Sequence, residues 1–158
     1  MKDSLIKGIS FGLTSAIITT LGLMVGLHAG THSKIVVLAG ILTIAIADAM
    51  SDALGIHISE EAENTHTVKQ IWGATIATFM TKFLFAMTFI VPVLFLCLSN
   101  AIIVSLIWGM SVLVVLSYLI AKSQDEPPWK IIGEHLIIAL AVIAITHLVG
   151  EWLSTLGT

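Results

Sequence analysis

Apolar residues run through this chain in five long blocks, at 5–27, 35–59, 70–96, 101–121 and 131–153. Polar residues gather in the breaks: HAGTHSK (28–34), EEAENTHTVK (60–69), CLSN (97–100) and KSQDEPPWK (122–130), the last with two prolines that cannot continue a helix. Stretches such as 71–98, 101–120 and 136–149 are apolar nearly all round rather than along one stripe, so their surroundings must be apolar on every side. At 1.5 Å per residue, about 20 residues cross a hydrocarbon core of about 30 Å. The pattern predicts an all-α polytopic membrane protein, one domain over 1–158 with five transmembrane helices and no separate soluble domain.

Composition closes off the soluble alternative. With 57% hydrophobic and 11% charged residues and a mean hydropathy of +1.04, five such helices would leave too little polar surface to cover them in water. The chain has no arginine and only seven scattered lysines, which excludes a basic nucleic-acid face. Cys97 is the single cysteine and forms no internal disulfide. The first block is too long and too rich in small residues for a signal peptide and is read as the first span.

The lysines predict orientation, because cytoplasmic flanks retain positive charge. With the N-terminus inside, Lys2, Lys7, Lys69, Lys122 and Lys130 are cytoplasmic, Lys34 alone is outside, and Lys82 lies within a span. Trp72 and Trp129 then sit at the inner interface and Trp152 at the outer one. The first span carries Gly8 and Gly12, then Gly22 and Gly26, spacings that permit close helix approach in lipid and predict packing against a second copy in a C2 homodimer. Glycine is also simply common in membrane helices.

Within the second block, ADAMSDALGIH places Asp48 and Asp52 on one helical face about 6 Å apart along the axis. A carboxylate at the bilayer centre costs about 2.5–3.5 kcal/mol, and the two repel each other. Compensation must come from a bound cation, a proton on one carboxylate, a water-filled cavity, or Lys82 from the third span. Lys82 alone would make a purely structural ion pair, but one lysine does not neutralise two carboxylates. A membrane aspartyl protease draws its two aspartates from different helices, and GxSxG, HExxH and phosphate-binding glycine loops are all missing, so no enzyme is expected.

At the inner mouth His57, Glu60, Glu61, Glu63 and His66 fall within ten residues. Carboxylate with imidazole suits divalent Mn, Fe or Zn, whereas the commoner meaning of such a run is a solvated loop. On the fifth span His147 and Glu151 form an i, i+4 pair suited to relaying protons, or simply to facing headgroups.

Taken in order, FGLTSAIITTLGLMVGL, VVLAG with SDALGIHIS, GATIATFMTKF with VPVLF, SYLIAK and AVIAITHLVG resemble the vacuolar iron transporter family over nearly the whole chain. The resemblance implies a homodimer that exports Fe²⁺ or Mn²⁺ from the cytoplasm in exchange for protons, along a path between the two subunits' first and second spans. It implies no permanently bound cofactor, only the transported cation, and partners limited to a second copy, the bilayer, metal ions and protons. A prokaryotic inner membrane is the expected location. The family pattern has aspartate where Phe11 stands, methionine where Asp52 stands and glutamate where Ile56 stands, and plant members insert a glutamate-rich domain where residues 60–69 stand here. Exchanging thioether for carboxylate favours harder cations, hence Mn²⁺ over Fe²⁺.

The sequence therefore predicts a proton-coupled divalent metal exporter. Its path holds Asp48, Asp52 and Lys82 with Ser15, Thr14 and Thr19 as neutral oxygens, its metal ligands are Asp48, Asp52, Glu60, Glu61, Glu63 and His57, and His147 with Glu151 forms a possible relay. The competing expectations are a structural membrane protein of the same fold and a transporter of another solute.

Overall fold

The computed structural model describes residues 2–156, and the described residues are all helix and connecting turns, with no strand. Helix α1 (Lys2–Thr31) is the first span. The second is α2 (Lys34–Thr43), a π-helical turn (Ile44–Asp48) and α3 (Ala49–Glu63) in one continuous rod. The third is α4 (Val68–Thr88) with α5 (Ile90–Phe95), the fourth α6 (Leu98–Ser123) and the fifth α7 (Pro128–Leu156). All five are long and apolar enough to cross a membrane.

Local chemistry sets the ends. Asn64 takes a left-handed conformation (φ 54°) that stops α3, as asparagine does at small cost. The Thr67 N–H donates to Gln70 Oε1 at 2.9 Å and so supports the first turn of α4. Pro92 has no N–H to give the Thr88 carbonyl, and the third span breaks at Phe89 accordingly. At the same membrane end Lys34 Nζ donates to the Leu94 and Leu96 carbonyls at 3.0 and 3.2 Å, so a cation closes the C-terminus of α5.

Helix α1 is the core of the bundle: half of its most apolar stretch is buried, against 11% for α7. It packs on α2, α4, α6 and α7. Its glycines explain how. A Cβ on Gly8 would strike the Ala74 carbonyl and one on Gly12 the Thr78 carbonyl at 2.7 Å, so the N-terminal half of α1 lies directly on the α4 backbone. In the C-terminal half Gly22, Gly26 and Gly30 meet Val142, Thr146 and Gly150 of α7. Both seams run parallel, and close van der Waals contact holds them where lipid supplies no hydrophobic drive. The expectation that these glycines face a second copy is therefore corrected: α4 and α7 of the same chain occupy them.

A different small-residue row stays uncovered. Ala47, Ser51, Gly55 and Ser59 recur every four residues along the second span and are all exposed, and nothing lies within 4 Å of where a Gly55 Cβ would stand.

Candidate functional site

Three spans meet at Lys82. This α4 lysine is fully buried, and its ammonium lies 2.5 Å from Asp48 Oδ2, 2.5 Å from Asp52 Oδ2 and 2.8 Å from Ser15 Oγ of α1. It donates hydrogen bonds to Asp52 Oδ2 and Ser15 Oγ, while Asp48 Oδ2 stands at ion-pair distance, buried and without a hydrogen bond of its own. Asp48 ends the π-helical turn and Asp52 lies in the first turn of α3. A π-turn widens the helix by one residue and often marks a functional position, and here it precedes the acid pair directly. The hydrophobic run IAIAD carries no signal for it.

Charge is the notable property of this cluster. Two carboxylates face one ammonium, so one negative charge remains for a proton or a further cation to balance. The carboxylates are not sealed: side-chain exposure is 35% for Asp48 and 19% for Asp52. Both stand one residue on from Ala47 and Ser51 and so flank the uncovered small-residue row. The groove of about 340 Å³ between α3 and α4 is lined by Met50, Leu54, His57, Trp72, Phe79 and Met80, and neither aspartate takes part. Thr19 and Thr14 stay outside the cluster. The Thr19 hydroxyl donates to the Ser15 carbonyl at 2.8 Å, and Thr14 makes no side-chain hydrogen bond to Asp48, Asp52 or Lys82.

A second lysine-centred cluster lies at the N-terminal end of the bundle. Lys7 of α1 pairs with Glu60 at 2.5 Å and Glu63 at 2.8 Å, while His66 Nδ1 approaches Glu60 at 2.9 Å. Glu60, Glu63 and His66 present one ligand atom each within 4.8 Å of one another, a spacing fit for a metal ion. Two of the predicted ligands belong elsewhere. His57 bonds Thr75 Oγ1 at 2.9 Å, meets Trp72 edge-on, and approaches Glu61 at 3.5 Å. The imidazole of this cluster is His66, which the left-handed Asn64 turns back onto α3. Glu60, expected to face water, is fully buried under Lys7.

His147 and Glu151 are 3.3 Å apart at the opposite end, both well exposed. Their helix, α7, packs on α1 and α6. Comparison with family models, with characterised proteins and with solved structures returned no match, so the likeness to the vacuolar iron transporters rests on the quoted segments alone.

Proposed function

We propose that the chain is a proton-coupled divalent-cation transporter in which Asp48 and Asp52 carry the ion and Lys82 holds its place when the ion is absent. The observation that carries this reading is the unbalanced cluster at mid-span: two carboxylates, one ammonium, and partial exposure on one flank. A structural ion pair has no use for the second acid, which adds a charge that must be balanced in a low-dielectric setting. An arriving divalent cation supplies two positive charges and displaces the ammonium and any proton held there, which links the two fluxes by charge balance.

The partly exposed acids are sequence neighbours of the exposed row Ala47, Ser51, Gly55 and Ser59, so the reading includes a homodimer that closes this face and makes the path between two second spans. Small residues at that spacing allow such an approach. With Cys97→Ser removing the native thiol, Ser51→Cys is expected to cross-link two copies under oxidation. Failure to cross-link in membranes would remove this interface. The N-inside orientation makes the direction export, and the all-oxygen acid pair favours Mn²⁺ over softer ions. In the same orientation the Lys7 cluster faces the cytoplasm, where Glu60, Glu63 and His66 would collect cations ahead of the path.

The ties of Lys82 to Ser15, Asp48 and Asp52 support a second reading, a membrane protein of the same fold in which the cluster only fastens spans one, two and three. Flux in proteoliposomes separates the two. Under the transport reading Asp52→Asn abolishes metal-coupled proton movement while the protein still assembles. Under the structural reading there is no flux to lose.

A further inference from the structure

Glu60 and Glu63 stand one turn apart at the end of α3, and the left-handed Asn64 returns His66 onto them before α4 begins. The two carboxylates are used on two sides. Lys7 of α1 meets their Oε1 atoms, at 2.5 Å from Glu60 and 2.8 Å from Glu63. His66 Nδ1 meets their Oε2 atoms, at 2.9 Å from Glu60 and 3.9 Å from Glu63. Two carboxylates against one ammonium leave a negative charge on the Oε2 side.

Hydrogen bonding does not complete that side. Glu60 is fully buried, and neither its carboxylate oxygens nor the buried His66 Nδ1 has a hydrogen-bond partner. A buried nitrogen and oxygen left unbonded at 2.9 Å cost free energy, which a cation between them relieves. Ligand atoms about 2.0–2.2 Å from a tetrahedral ion stand about 3.3–3.6 Å from one another. The 2.9 and 3.9 Å separations bracket that range, and one ligand atom from each of the three residues lies within 4.8 Å of the others. Glu63 and His66 are partly exposed, so an ion reaches the site from water.

We propose that Glu60, Glu63 and His66 retain a divalent ion on their Oε2 and Nδ1 atoms, and that this ion, with Lys7 on the opposite side, staples the α3–α4 turn to the start of α1. The inference rests on reading the cluster as a cation site and deepens it: a fully buried ligand suits an ion that stays, where a collecting site must let it go. One imidazole and two carboxylates favour Zn²⁺ or Co²⁺ over Mn²⁺ by the general order of divalent affinities, with one position left for water. Lys7 needs no displacement, because it holds the other oxygen of each carboxylate. It precedes Gly8, which lies directly on the Ala74 carbonyl, so the staple also fixes the end of the α1–α4 seam. None of the residues around Lys82 takes part.

The test uses the purified, tag-free full chain in detergent. Co²⁺ should give a visible absorption band, and His66→Gln and Glu60→Gln should each weaken its binding by about tenfold or more, while Asp52→Asn leaves it in place. Zn²⁺ should raise the unfolding midpoint and slow amide exchange both in residues 64–67 and in residues 3–10, because an ion held only by the folded chain protects what it joins. His66 is partly exposed, so His66→Gln reads the site even where Glu60→Gln fails to fold. Co²⁺ binding at these residues with no slower exchange in residues 3–10 leaves a collecting site and overturns the staple. No band, or a band that both variants keep, overturns the cation reading of the cluster as well. Mn²⁺ flux through the parent protein is measured apart from either result, so the two failures stay distinct from failure of transport.

Discussion

Two clusters in this chain are built alike, each with a lysine between two carboxylates of the second span, and they differ in depth. Lys82 is fully buried between Asp48 and Asp52, with Ser15 as its third partner. Lys7 keeps 40% of its side chain exposed while it holds buried Glu60 and exposed Glu63, with His66 as the additional group. At the bundle end water replaces a missing partner. In mid-span nothing does, so the same chemical motif is a mild clamp in one place and an obligatory one in the other.

The largest effect should follow from removing the deep lysine. Lys82→Met leaves two facing carboxylates uncompensated and should cost about 3–5 kcal/mol in detergent unfolding, the range for breaking a buried pair. Replacing Asp48 and Asp52 by asparagine in the same chain should recover most of that loss. If Lys82→Met is as stable as the parent protein, the mid-span cluster is already hydrated and the contrast with Lys7 collapses.

Next in size is the α1 seam. Gly12→Ala pushes a methyl group into the Thr78 carbonyl and should cost about 1–3 kcal/mol through overpacking. Gly55→Ala, on the open row, meets nothing within the chain and should change stability by no more than about 0.5 kcal/mol. Equal losses at the two positions would mean that both rows are packed within one chain.

The smallest effect belongs to the shallow lysine. Lys7→Met should cost about 1 kcal/mol, because Lys7 and Glu63 are open to water and His66 stays on buried Glu60. Raising salt should narrow the gap between Lys7→Met and the parent while leaving the Lys82→Met gap unchanged, since mobile ions screen only the exposed pair. Unfolding midpoints at low and high salt for the two variants give the comparison directly.

Much of this was open to reading from the sequence. Five apolar blocks give five spans because backbone satisfaction in lipid leaves helices as the only option for such segments. Asp48, Asp52 and Lys82 stand out because charge is rare there, and the structure joins all three. What the sequence conceals is which surface a feature meets. Gly8, Gly12, Gly22 and Gly26 advertise close approach but do not name α4 and α7 as the neighbours. His57 has better ligand spacing to Glu61 than His66 has to Glu60, yet the turn at Asn64 reverses the outcome by ending the helical register on which such spacing depends.

The central claim is that Asp48 and Asp52 exchange a divalent cation for protons, and the most direct measurement is simultaneous Mn²⁺ and proton flux in proteoliposomes holding the parent protein or Asp52→Asn. The account predicts Mn²⁺ movement driven by an imposed pH gradient, matched by opposite proton movement, with both abolished in Asp52→Asn while helix content and dimer assembly persist. Folded parent protein that moves no Mn²⁺ in either direction of the gradient, or Asp52→Asn that moves it at the parent rate, would contradict the claim and leave Lys82 as a structural fastener.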